Sequence, residues 1–266
     1  MNLVYPLFAD NLFATVYLLV IAFMFGAVFA SFITCTACRV VIGEDWTKGH
    51  SHCDSCGHEL STLDLIPIVS WLALKGKCRY CGAKVPARDV IFEIVLGLLF
   101  VVTLAFNRAV DPVVVQTLVL EVILLGLSLA DFDNHIIPDG FLLAMLIVWI
   151  LFVGFMPDAQ SYALDGVLAA VVIGGILLIV SAVLNKALKK QSIGMGDIKL
   201  FACCLLFTGL YRGVITLFLA SVIGLIIAAA GRKKKIAFAP AISIATVISL
   251  VFGGALLNMY FSLIGG

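Results

Sequence analysis

The sequence predicts an all-α, polytopic helical membrane protein with about eight transmembrane helices and one small cysteine-rich polar insertion. Three observations lead there. Of 266 residues, 63% are hydrophobic and only 12% charged, about half the charged fraction of a soluble chain. Near-uncharged runs recur at about 13–38, 90–107, 112–130, 140–156, 166–185, 199–211, 213–231 and 236–263. In lipid, such runs satisfy their own backbone groups as helices. Residues 40–89 form the only sizeable polar stretch, and four paired cysteines lie in it.

The first run has no Lys or Arg before it and no small-residue cleavage site, so it reads as an uncleaved first span. The run at 199–211 is short, which leaves seven spans as an alternative to eight. Orientation follows from the basic residues. Arg39, Lys48, Lys75, Lys77, Arg79, Lys84 and Arg88 lie between spans one and two. Lys186, Lys189, Lys190 and Lys199 flank the fifth-to-sixth connection, and Arg232–Lys235 separate spans seven and eight. With eight spans these fall on one face, leaving only Arg108 and Arg212 of the 17 basic residues on the other. The basic face is therefore read as cytoplasmic, with both termini outside. Arg232–Lys235 is read as a topogenic cluster rather than a lipid-headgroup site.

Cys53-Asp54-Ser55-Cys56 and Cys78-Arg79-Tyr80-Cys81 are two CxxC pairs separated by 21 residues. Each knuckle offers two thiolates to one tetrahedral ion. Gly57 and Gly82 follow the second cysteine of each pair, where they supply the backbone freedom the turns need. On a cytoplasmic face, Zn2+ is favoured over two disulfides. Four thiolates leave no open position for water, so the ion is structural, a staple for a segment with few large apolar side chains. No HExxH occurs, which argues against a zinc protease. His50, His52 and His58 read as solvated loop residues, with ligand replacement as the alternative. Cys35-Thr36-Ala37-Cys38 and Cys203-Cys204 read as buried, inert thiols.

Asp131 and Asp197 end and open hydrophobic runs at what the topology makes the same boundary. Ionisable groups there are functional candidates by default. Ile137-Pro138-Asp139 starts the next span, with Asp139 as its N-cap. Asp197 follows Gly194-Met195-Gly196, and the two glycines leave room for a substrate strand beside the carboxylate. Two carboxylates about 4 Å apart would repel by about 4 kcal/mol at an effective dielectric near 20. They would therefore share a proton, the charged partner activating water while the protonated one polarises a carbonyl. Helix ends suggest Asp197, at an N-terminus, as the base and Asp131, at a C-terminus, as the acid.

These motifs together resemble the type IV prepilin peptidases, a branch of the GxGD membrane aspartyl proteases. Asp131 with Ile137-Pro138-Asp139 is similar to the family's first-aspartate motif, and Gly194-Met195-Gly196-Asp197 to its second. Cys53–His58, Asp64–Pro67 and Gly76–Cys81 resemble its cytoplasmic zinc-binding segment, and Gly26–Arg39 its first-span exit. The chain departs from the pattern at Thr34–Cys38, where the family has an Asn-hydrophobic-hydrophobic run, and at Ala130, where a larger apolar residue is commoner.

The resemblance implies three parts: a first transmembrane helix at 1–39, a cytoplasmic zinc-binding segment at 40–89, and a membrane-embedded aspartyl peptidase domain at 90–266. It implies a multi-pass protein of the bacterial cytoplasmic (inner) membrane, with its site facing the cytoplasm. The substrate implied is a prepilin or pseudopilin whose short basic leader is removed. S-adenosyl-L-methionine is the implied donor for N-methylation of the new terminus. Glu93 matches a family acidic position, with an ion pair to Arg88 or Lys84 as the alternative. Lys199 is motif-like and is read as orienting the catalytic loop or balancing its charge. Apart from membrane lipid and the prepilin no partner is implied, and no nucleic acid. Competing readings are a peptidase without methyltransferase activity and a cation-binding transporter. The transporter is disfavoured because both aspartates lie at one boundary and no inverted repeat is evident.

Overall fold

In apolar surroundings the favoured backbone is one that closes its own hydrogen bonds, and the apolar runs accordingly form helices. The computed structural model describes residues 5–6, 12–45, 49–189, 194–230 and 237–264. In chain order its elements are β1 (Tyr5–Pro6), α1 (Leu12–Ile42), α2 (Val69–Ala73), α3 (Arg88–Asn107), β2 (Ala109–Val110), α4 (Pro112–Asn134), α5 (Asp139–Val153), α6 (Ala159–Leu188), α7 (Met195–Ala230) and α8 (Ala239–Ile264). Six of these helices, all but α2 and α5, are long and apolar enough to cross a membrane. The protein is a multi-pass membrane protein. Lys48, Lys190 and Arg232–Lys235, used above for orientation, lie outside the described residues.

The chain divides into two compact units, residues 1–110 and 111–266. In the first, α1 packs on α3. The buried face of α1 carries Ala22, Gly26, Ala30, Ile33 and Ala37 at helical spacing. Small residues let the two backbones approach: a Cβ on Gly26 would lie 2.7 Å from Gly97 Cα, and one on Gly97 2.7 Å from Phe23. An antiparallel β1–β2 pairing, Tyr5 opposite Val110, ties the stretch ahead of α1 to the stretch after α3.

In the second unit α4 packs on α5 and α8, and α7 packs on α5, α6 and α8. Asp111 caps α4 by accepting the Val114 N–H at 2.8 Å, with Pro112 at the first helical position. The helix α7 is interrupted at Gly209, whose φ of 66° and ψ of −172° are not helical. A Cβ on Gly213 would touch the Leu205 side chain. Eight residues of straight helix would separate those positions by about 12 Å, so the chain doubles back at Gly209. The expected runs 199–211 and 213–231 are therefore the two arms of α7. With these arms counted separately, the described residues contain eight apolar helical segments besides α2.

A reversal in an apolar setting strands backbone groups, and here they find side chains. The Leu206 carbonyl accepts the Trp149 indole N–H at 2.8 Å, and the Leu210 N–H donates to Asp165 Oδ1 at 3.2 Å. Asp165 also occupies the space that a Gly209 Cβ would take.

Gly26→Leu should destabilise the first unit by about 3 kcal/mol, because neither helix backbone can yield to the added side chain. Thermal unfolding in detergent should show a clear drop in midpoint. Gly175→Leu, at a position with open space around it, should leave the midpoint nearly unchanged.

Candidate active site and cysteine cluster

Asp131 lies in the last turn of α4 and is buried, 6% exposed. Its Oδ2 accepts the Ala239 N–H at 2.8 Å, and the Phe238 N–H also points to the carboxylate. Ala239 opens α8, so the side chain occupies a helix start whose N–H groups lack internal partners. Asp197 is the third residue of α7 and is half-buried. The two side chains are near enough for the charge of Asp131 to be felt at Asp197.

The loop after α4 is fastened to the start of α7. His135 ends α4 in the left-handed region (φ 54°), its N–H donating to the Asp131 carbonyl at 2.9 Å. Ile137 fills the space above Gly196, where a Cβ would come within 3.2 Å of it. Lys199 Nζ meets Asp139 Oδ1 at 2.9 Å. Both partners of this pair are exposed, so it adds register more than stability.

Three local expectations change. Asp139 is not the N-cap of α5: Pro138 holds that position, and the Asp139 carboxylate is engaged by Lys199. The space beside the two glycines is filled by the protein itself. Ile137 occupies it at Gly196, and the Asp197 carboxylate lies 2.7 Å from where a Gly194 Cβ would be. The helix-end contrast between the aspartates also disappears. Asp131 ends α4 but faces the N-terminus of α8, so each carboxylate meets the positive end of a helix.

In the first unit the two CxxC knuckles have the same local structure. Cys53 N–H bonds the His58 carbonyl (3.0 Å) and Gly57 N–H the Cys53 carbonyl (2.8 Å). Cys78 with Ala83 and Gly82 with Cys78 repeat this at 2.8 and 3.0 Å. Gly57 and Gly82 have φ of 68° and 71°, as their place in the sequence requires. The sulfurs of Cys53, Cys56, Cys78 and Cys81 all lie within 4.8 Å of one another. Cys53 and Cys81 Sγ are 3.9 Å apart, close to the edge of about 3.8 Å that a ZnS4 tetrahedron with 2.3 Å bonds would have. The donor set fits zinc by charge as well. The N–H groups of Ser55 and Cys56 hold the Cys53 thiol down at about 7. Although the Ala83 N–H favours the Cys81 thiolate, burial and its three cysteine neighbours hold that thiol up at about 11. Four thiolates this close need a cation.

The knuckles are braced by side-chain contacts within these motif stretches. His58 stacks on Tyr80 with centroids 3.6 Å apart, which joins one knuckle to the other. Asp64 accepts from the Ser61 hydroxyl (2.7 Å), Arg79 Nε (2.6 Å) and the Tyr80 hydroxyl (3.2 Å). The Ser61 hydroxyl, with help from Arg79, holds the Asp64 carboxyl down at about 2 from its usual 3.8. The stabilisation from this clasp is complete above pH 3.8 and is lost as pH falls through about 2. Cys203 and Cys204 are buried, as expected. Cys35 is half-buried and Cys38 exposed, because the packed face of α1 runs through Ile33, Thr36 and Ala37.

Glu93 is buried, 5% exposed. Its Oε2 accepts the Ile68 N–H at 2.7 Å, and the Ser31 hydroxyl also bonds it. Ile68 has φ 62° and ψ −50°, at the centre of a γ-turn closed by the Val69 N–H and the Pro67 carbonyl, a rare and strained conformation. Glu93 thus ties the start of α2, in the cysteine segment, to α3. Gln116, Glu121 and Asp165 went unmarked in sequence; Gln116 and Glu121 are buried polar side chains within the apolar run of α4.

Glu93→Leu should leave the Ile68 N–H without its acceptor, at a cost of about 1–3 kcal/mol. Limited proteolysis should then cut within 60–75 faster than in wild type, while Glu93→Gln, which keeps a carbonyl acceptor, should stay close to wild type.

Comparison with known proteins follows the same division. The Bacterial Peptidase A24 N-terminal domain matches residues 24–106, and the Type IV leader peptidase family matches residues 118–229. A prepilin leader peptidase/N-methyltransferase of Aeromonas salmonicida (strain A449) is 31% identical over 226 residues, 80% of this chain and 75% of that protein. Proteins of the same name from Dichelobacter nodosus (29% over 216 residues; 79% and 73% covered) and Bacillus subtilis (strain 168) (28% over 258 residues; 91% and 98% covered) are also similar. No solved structure matches. The chain belongs to the type IV leader peptidase family.

Proposed function

We propose that this protein is a membrane aspartyl endopeptidase that removes the basic leader from type IV prepilins or pseudopilins, with Asp131 and Asp197 as its catalytic pair. The observation that carries the reading is the packing of the 135–139 loop, which follows Asp131, against the start of α7, which carries Asp197; the two aspartates come from two family motifs at the ends of different helices. Paired carboxylates share a proton, so one can draw a proton from water while the other donates to the scissile carbonyl. Asp131 is oriented by the start of α8. Gly194, Gly196, Pro138, Asp139 and Lys199 position Asp197 by holding the 135–139 loop against the start of α7. The concentration of Lys and Arg in the 39–88, 186–199 and 232–235 stretches, which the topology puts on the same side as both aspartates, supports a site on the cytoplasmic face of the inner membrane.

The second activity is N-methylation of the newly exposed terminus, which the names of the relatives support. S-adenosylmethionine would supply an electrophilic methyl group. Glu93 is a buried carboxylate with the charge to face its sulfonium. Cys53, Cys56, Cys78 and Cys81 would hold a structural Zn2+, and the Asp64 clasp orders the loops around it.

With a purified prepilin, Asp131→Asn and Asp197→Asn should each lower cleavage by about 10^3-fold, and the double variant should be no worse than either single one. Retention of cleavage by either variant would remove the dyad. Labelled S-adenosylmethionine should mark the wild-type product; with no label, the peptidase activity stands alone. Metal analysis should find about one zinc per chain, and Cys78→Ser should lose it.

A further inference from the structure

A cavity of about 400 Å3 lies among the start of α4, the start of α6, the Gly209 turn and the latter part of α8. It is not part of the catalytic site: Thr117, in its wall, is separated from Asp131 by about 21 Å of α4. We propose that this cavity binds a lipid headgroup in which a phosphodiester is paired with a primary ammonium.

The polar side chains in the wall define the ligand. Arg212 contributes a guanidinium for which the described residues provide no ion-pair partner. A half-buried cation without an ion-pair partner beside the Gly209 turn favours an anionic ligand. Gln116 is 4% exposed, and the Tyr162 hydroxyl donates to its Oε1 at 2.9 Å, leaving Nε2 without a partner. A buried amide N–H of this kind calls for an acceptor. Arg212 and Gln116 together therefore select an anionic, oxygen-rich group.

Asp165 narrows the choice. One of its oxygens holds the Leu210 N–H, but its charge still faces the cavity and would repel a simple dianion. Thr117 and Thr208 spend their hydroxyl hydrogens on the Val113 and Cys204 carbonyls, so they offer only acceptor lone pairs to a ligand. An ammonium beside the phosphate satisfies Asp165 and both threonines. Val113, Phe207, Leu250 and Leu257 complete the wall. These apolar surfaces suit the glycerol and first acyl carbons of a lipid and have no use for a small diffusible zwitterion.

The test uses the full-length protein in nanodiscs containing equal amounts of phosphatidylethanolamine and phosphatidylglycerol, with tightly retained lipid read by native mass spectrometry. Phosphatidylethanolamine should be retained about tenfold over phosphatidylglycerol. Phosphatidylcholine, whose nitrogen has no N–H, should be retained no better than phosphatidylglycerol. Arg212→Gln and Gln116→Leu should each remove the preference. Equal retention of all three lipids in wild type would overturn the proposal, and this ranking decides it even if neither variant folds. A preference that survives in both folded variants would overturn it too. So would displacement of the lipid by soluble glycerophosphoethanolamine at comparable concentration, which would make the ligand a free zwitterion.

Discussion

At three places where the described residues leave regular helix, a backbone N–H without a helical partner is received by a side-chain oxygen. Asp131 takes the N–H that opens α8. Asp165 takes the one released by the Gly209 reversal, and Glu93 takes the one at the strained Ile68. An unpaired N–H at any of these points would cost about 1–3 kcal/mol, so the acids and the breaks occur together. The irregular geometry that places the functional groups exists because these carboxylates are there to complete it.

This constraint gives Asp131 two tasks. It is the catalytic candidate at the end of α4, and it is also a fixed point between α4 and α8. Ser128 and Ser243, with hydroxyl oxygens 2.9 Å apart, join the same two helices about one turn deeper. Preorganisation of this kind suits an acid–base group, whose contribution depends on being held in place before the substrate arrives. Asp197 is held differently, through the 135–139 loop that packs against the start of α7. Glycine at 194 and 196 admits its own carboxylate and Ile137 at distances that a larger residue would prevent.

The first unit uses the same means for another end. Its knuckles are two copies of one turn, brought together by the His58–Tyr80 stack and the Asp64 clasp. Glu93 then connects that polar segment to α3 through one backbone bond. A metal held by the four cysteines would therefore act on a segment already directed toward its helix pair.

Patterns local in sequence were legible without coordinates. Composition and run length determined a polytopic helical protein, and the CxxC spacing with Gly57 and Gly82 determined two matching knuckles, because these depend on neighbours a few residues apart. The runs at 199–211 and 213–231 marked two segments where α7 lies, though not Gly209 as the point of reversal. Partners were another matter. Asp131 meets Ala239 across 108 positions, Trp149 meets Leu206 across 57 and Glu93 meets Ile68 across 25. No periodicity links such residues, so only tertiary packing decided that Asp131 faces a helix N-terminus and that Asp139 pairs with Lys199 instead of capping α5. The sequence alone determined which side chains are candidates for the chemistry, because residue type and hydropathy are local properties. The tertiary structure decided what each of them touches, because a hydrogen bond depends on distance in space and not along the chain.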